Sequence, residues 1–178
     1  MANLKIGDKP IEFTLTGTDG MKHSLNDYSD MHRAVIFSCN HCPYVRAWED
    51  RMVAIQRDYA SKGVQLIAIN SNDAAQYPED SFENMKARAK EKYFNFPYLR
   101  DEDQKVAKLY GAQRTPEVFL FDRESTLRYH GAIDDNYDDP NAVKRHYLRD
   151  ALDALVGGTK TSIPETQPVG CTIKWKTG

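Results

Sequence analysis

The chain has 178 residues, 40% hydrophobic and 28% charged, which suits one globular domain with a sizeable core and excludes a disordered or fibrous chain. With 24 basic against 26 acidic side chains the formal charge is -2, so no one-sign field recruits nucleic acid or an anionic membrane. No apolar run reaches the length of a signal-peptide core or a membrane span, and the sequence therefore predicts a cytoplasmic protein.

In chain order, Ile11 to Thr16 alternates and is rich in strand formers. The turn Thr18-Asp19-Gly20 and a second run at His23 to Leu25 follow, predicting an N-terminal hairpin at the edge of a sheet. Ala34-Val35-Ile36-Phe37-Ser38 is nearly unbroken apolar sequence, as a central strand buried on both faces requires, and it runs straight into Cys39. Val45, Trp48, Met52, Ile55 and Tyr59 recur at steps of three and four, which predicts a helix to about Ser61, closed at Lys62-Gly63.

Val64 to Asn70 reads as a second buried strand, and Ser81 to Tyr93 as a charged helix capped by Ser81. A short extended piece is expected at Phe96 to Leu99 and a helix at Asp103 to Tyr110, ended by Gly111. Val118 to Phe121 and Thr126 to His130 then form paired strands. Asn141 is the expected cap of a last amphipathic helix carrying Val143, Tyr147, Leu148, Ala151, Leu152 and Leu155, stopping at Gly157-Gly158. The sum is an α/β domain over 1–178, a mixed sheet with helices on both faces and a C-terminal tail at about 159–178.

Chemistry concentrates at Cys39-Asn40-His41-Cys42. A strand that ends at Cys39 and a helix that begins at once place both sulfurs at a helix N-terminus, where unpaired N–H groups favour thiolate over thiol. On this reading Cys39 sits at the exposed cap, has a lowered pKa and attacks a substrate disulfide, while Cys42, one turn inward, resolves the mixed disulfide. His41 adds positive charge beside the sulfurs, which stabilises the reduced form and makes the pair more oxidising than thioredoxin. Pro43 fits the first helical turn, where its missing N–H has no acceptor to lose. Arg114-Thr115-Pro116 precedes an apolar strand, a place that asks for a special turn and is compatible with a cis peptide.

A strand leading into C-x-x-C, then a helix, and later Thr115-Pro116 before a strand, resembles the thioredoxin superfamily across nearly the whole chain. Ile6-Gly7-Asp8, Phe13-Thr14-Leu15, Asp19-Gly20, Ser24-Leu25 and Thr115 to Asp122 are similar to the redoxin branch, which includes the alkyl hydroperoxide reductase and thiol-specific antioxidant proteins. The resemblance implies a thioredoxin-like fold, a cis Pro116 facing the two sulfurs, and backbone at Thr115 and Pro116 that pairs with a substrate chain. Two positions depart from thioredoxin: Ser38 stands where a tryptophan precedes the first cysteine, and Asn40-His41 replaces Gly-Pro.

The expected activity is thiol-disulfide exchange, with protein or small-molecule disulfides and a thiol reductant as partners and no cofactor. Peroxide reduction is the alternative, but the P-x-x-x-T/S-x-x-C pattern of peroxiredoxins is absent: Val35 and Cys39 fill its positions before Cys42, and His32 and Ile36 before Cys39. A copper chaperone of the Sco type is a third reading, with His130 as distant ligand, although its cysteines are C-x-x-x-C. Structural zinc lacks a second close ligand pair. Glu117 is either a proton relay toward Cys42 or a solvated strand residue. Cys171 is either a third redox thiol that folds back to the pair or a small buried hydrophobe, the second being favoured.

Overall fold

The computed structural model describes residues 2–178. Seven strands form the main sheet in the order β2-β1-β5-β4-β3-β7-β8. They are β1 (Thr14–Gly17), β2 (Lys22–Ser24), β3 (His32–Ser38), β4 (Val64–Asn70), β5 (Tyr98–Arg100), β7 (Glu117–Phe121) and β8 (Leu127–Gly131). The helices are α1 (Pro43–Tyr59), α2 (Phe82–Glu91), α3 (Lys105–Tyr110) and α4 (Tyr147–Val156). A second, two-stranded ribbon pairs β6 (Arg114–Thr115) with β9 (Cys171–Thr172).

β3 lies at the centre, parallel to β4 and antiparallel to β7, and all its residues are buried. Because a strand alternates its faces, its apolar run divides between two cores. Ala34 and Ile36 face Trp48, Met52 and Ile55 of α1, Met85 of α2 and Leu148, Ala151 and Leu152 of α4. Val35 and Phe37 face Tyr110 of α3, Phe13, Leu25 and Ile173. The mixed sheet with helices on both faces is therefore the α/β arrangement expected, with the N-terminal hairpin at the edge.

Where structure and sequence reading differ, local chemistry explains it. Asn141 caps nothing: it lies in a short 3-10 turn, Pro140–Ala142, and Asp139 accepts the Asn141 N–H at its head. The last helix starts only at Tyr147, after His146, and Val143 lies outside it. Ser81 does cap α2, accepting the Asn84 N–H at 3.2 Å. The tail is ordered: Ile173 is buried, Glu165 bridges to His130, and Cys171–Thr172 is a strand. No described helix is long and apolar enough to cross a membrane.

One interhelical contact is held by charge. Glu49 of α1, 1% exposed, receives both Arg88 Nε at 3.0 Å and Arg88 Nη2 from α2. Removing one partner of a buried pair strands the other in low dielectric, a loss of about 3–5 kcal/mol. Arg88→Met should accordingly lower the unfolding free energy in a urea titration by about 3 kcal/mol, whereas a fall below about 1 kcal/mol would show that Glu49 keeps its water without the arginine.

Candidate active site

The site forms where the C-terminal end of β3, the start of α1, the turn at Thr115-Pro116 and the tail strand β9 meet. β3 ends at Ser38, Pro43 takes the first position of α1, and Cys42 is the residue that caps it. Proline fits there because the first helical N–H has no intrahelical acceptor. The Thr115-Pro116 bond is cis. Thr115 is buried and touches both sulfurs: its Oγ1 lies 3.5 Å from Cys39 Sγ, and its carbonyl oxygen accepts from Cys42 Sγ at 3.5 Å. All three cysteines are free thiols.

The geometry corrects the expected exposure and cap position of Cys39. Cys39 is not the exposed cap: it is 2% exposed, Cys42 is fully buried, and the cap position belongs to Cys42. The charge moves with it. Cys42 receives a hydrogen bond from the Cys39 thiol, and although burial opposes ionisation, the Cys171 thiol and the Val45 backbone N–H add to the effect and hold its pKa down to about 4. Cys39 moves the opposite way: donating to Cys42, being buried and facing the Asp80 carboxylate all push its pKa up. The two sulfurs are thus pushed in opposite directions, with charge favoured on Cys42 and disfavoured on Cys39.

His41 does not act as an uncompensated positive charge. Its Nδ1 lies 2.6 Å from Asp80 Oδ2, and its ring stacks on Tyr77 at 6.0 Å between centroids. Asp80 is a buried hub that sequence reasoning missed. Its Oδ1 accepts the Asn40 backbone N–H at 2.7 Å and Asn70 Nδ2 at 3.1 Å, and its Oδ2 accepts Asn72 Nδ2 at 3.0 Å. Asn40 is fixed in turn by the Tyr98 hydroxyl, which donates to its Oδ1 at 2.7 Å. The polar cluster Ser71-Asn72-Asp73 after β4, and Asp80 just before the Ser81 cap, are the available sequence signals, but nothing local joins them to the cysteines.

Ligand atoms of Cys39, His41 and Asp80 lie within 4.8 Å of one another, the one such group among the described residues. His41 and Asp80 already touch, and both Asp80 oxygens are engaged by amides, so the carboxylate is committed to holding the loop.

Glu117 is neither solvated nor directed at a sulfur. It is 2% exposed; its Oε1 accepts the N–H groups of Gln113 and Arg114, and its Oε2 lies 2.7 Å from His130 Nε2. Glu117 therefore braces the turn that carries Thr115. His130 Nδ1 is 3.0 Å from Glu165 Oε2, so both ring nitrogens are engaged; burial opposes its charge, but the two carboxylates prevail and raise its pKa. The distant copper ligand that the Sco-like reading needs is thus tied to carboxylates. Cys171, read either as a third redox thiol or as a small buried hydrophobe, is half-buried against the pair, in contact with Cys42.

Among solved structures the chain is 37% identical to a hypothetical protein of Sinorhizobium meliloti, with a TM-score of 0.93 and coverage of 99% of this chain and 98% of that one. It is 44% identical to an uncharacterized conserved protein of Geobacillus kaustophilus, at TM-score 0.91 over 99% and 96% of the two chains. At 26% identity and TM-score 0.64 it is similar, over 72% of this chain and 85% of that one, to a structure described as a candidate thiol:disulfide interchange protein DsbE of Chlorobium tepidum. The comparison with curated proteins gives no match. These likenesses establish the thioredoxin-like fold, and the AhpC/TSA family model matches residues 6–130, most of the chain. By that match the chain belongs to the AhpC/TSA family, on a redox fold.

Proposed function

We propose that this protein is a thiol-disulfide oxidoreductase whose working pair is Cys39 and Cys42, acting on protein or small-molecule disulfides with a thiol as reductant. The observation that carries the reading is the placement of Cys42 at the N-terminus of α1 with the Cys39 thiol donating to it, both against Thr115. A helix N-terminus and a neighbouring S–H donor both favour the anion, which is the reactive form of a cysteine.

The exchange proceeds in two displacements. With the buried pair opened to a client, the Cys42 thiolate attacks one sulfur of the client disulfide; the client's other sulfur leaves as thiolate and takes up a proton. Cys39 then attacks Cys42 in the mixed disulfide, its proton passing to the departing client sulfur, and the Cys39–Cys42 disulfide remains. The client is reduced by two electrons and the pair oxidised by two. Thr115, against both sulfurs, and the cis Pro116 that follows it act as positioning residues, Glu117 braces their turn, and Asp80 sets the field at Cys39.

Peroxide reduction, the other activity that the family name brings to mind, receives less support from this site. Neither cysteine carries the peroxiredoxin motif. Cys39, whose sulfur touches the Thr115 hydroxyl, is disfavoured as a thiolate by its hydrogen bond to Cys42, by burial and by Asp80.

Three measurements test the reading. Wild-type protein should reduce insulin disulfides in the presence of dithiothreitol while consuming hydrogen peroxide slowly, and Cys42→Ser should lose the insulin activity by about a hundredfold or more, as expected when an attacking group is removed. Fast peroxide consumption with no insulin reduction would replace this function with the peroxidase.

Thiolate absorbance in the ultraviolet should titrate with a midpoint of about 4 in the wild type, vanish from that range in Cys42→Ser, and move upward in Cys39→Ser, which loses the largest stabilising contact. A wild-type thiolate that appears only in the ordinary cysteine range would remove the proposed charge placement.

A thiolate already formed at neutral pH stabilises the reduced state, so the redox potential against glutathione should lie above thioredoxin's value of about -270 mV. A potential at or below that value contradicts the stabilisation.

A further inference from the structure

The tail approaches the sulfurs as a built element. Thr166 Oγ1 lies 2.6 Å from the Tyr129 hydroxyl and accepts the Ala132 N–H at 3.0 Å. Beyond it, Cys171–Thr172 pairs antiparallel with Arg114–Thr115, with Cys171 opposite Thr115. Ile173 is 3% exposed in the core, its N–H bonded to the Gln113 carbonyl, and the Lys174 carbonyl accepts from both the Asp73 N–H and Gln104 Nε2 at 2.8 Å. Gly170 is required by this close passage: a Cβ there would stand 2.0 Å from the Thr115 carbonyl oxygen.

This docking brings a third sulfur to the pair. Cys42 interacts with both Cys39 and Cys171, so it is the sulfur that the two contacts share. The outer two differ in access: Cys39 is buried, whereas Cys171 reaches solvent in part. A client or reductant meeting the molecule as it stands therefore finds Cys171 more open than either member of the pair.

Resting on the exchange reading above, we infer that Cys171 is a third redox thiol, which closes an internal disulfide with Cys42 and carries the oxidised state of the buried pair to the molecular surface. Starting from the Cys39–Cys42 disulfide, the Cys171 sulfur attacks Cys42. The Cys39–Cys42 bond breaks as the Cys42–Cys171 bond forms, and Cys39 departs with the proton that Cys171 gives up. One disulfide exists before and after, so no outside oxidant or reductant is needed. An external thiol then attacks the partly exposed Cys171 sulfur and Cys42 leaves as thiolate; a second thiol frees Cys171 and departs as the external disulfide. Cys42 is suited to leaving, because a sulfur stabilised as the anion at a helix N-terminus departs faster.

Oxidation by glutathione disulfide, acid quenching and peptide mapping without reduction test the assignment. In the wild type, trypsin should release both a 34–46 peptide with its internal Cys39–Cys42 bond and a species joining 34–46 to 161–174 through Cys42 and Cys171. Cys39→Ser, which has lost the usual partner, should give the Cys42–Cys171 bond as its main oxidised product. Gly170→Val should displace the tail and slow that bond at least roughly tenfold, the loss expected when a held partner becomes a free one, while Cys39–Cys42 still forms.

The inference is overturned if Cys39→Ser, shown folded by its thermal transition, ends with Cys42 and Cys171 as free thiols or as separate glutathione adducts. The wild-type map decides the same point without relying on a variant. A Cys39–Cys42 bond without any Cys42–Cys171 bond sinks this inference alone; the absence of both bonds sinks the exchange reading beneath it as well.

Discussion

The unsatisfied N–H groups at the start of α1 are the constraint from which the site follows. β3 delivers the chain to that point with Ser38, and the four residues that follow must turn it into a helix. A cap is normally a small oxygen-bearing side chain accepting from the first turn. Here the cap is Cys42. Its side chain makes no capping hydrogen bond, so the helix start acts on the sulfurs through its field, which favours negative charge there.

The loop ahead of the cap then needs its own anchor, and Asp80 provides it. The carboxylate holds the Asn40 N–H and two asparagine side chains, which fixes the backbone between the cysteines. Its charge has a second effect, because it disfavours a thiolate on Cys39. An unpaired His41 would favour that thiolate, but its ring is in contact with the same carboxylate. The local field therefore acts oppositely on the two sulfurs, favouring charge at the helix end and disfavouring it beside the acid.

Much of this was legible in the sequence. The run Ala34 to Ser38 announced a doubly buried strand, and the spacing of Val45, Trp48, Met52, Ile55 and Tyr59 announced the buried face of α1, because both patterns are periodic over several residues. Asn141 misled because a good capping residue also suits a tight turn, and the adjoining Pro140 favours that alternative. Asp80 was not legible, since its partners Asn40, Asn70 and Asn72 come from separate segments that only the fold brings together. The tail escaped for the same reason: two residues of strand carry no readable period, and the pairing of Cys171 with Thr115 is set by a register that no local pattern encodes.

Charge placement also bears on which chemistry a family site of this kind favours. Peroxide reduction calls for a thiolate with room for a small oxidant and a hydroxyl to orient it, and the Thr115 hydroxyl is placed beside Cys39. Yet a thiolate on Cys39 is disfavoured by its hydrogen bond to Cys42, by burial and by Asp80, while Cys42, where charge is favoured, meets the Thr115 carbonyl and not its hydroxyl. The hydroxyl and the anion thus fall on different cysteines. A sulfur that favours charge and contacts two other cysteines instead suits passing a disulfide from neighbour to neighbour, which requires no cavity for a peroxide and only that each bond form as the last one breaks.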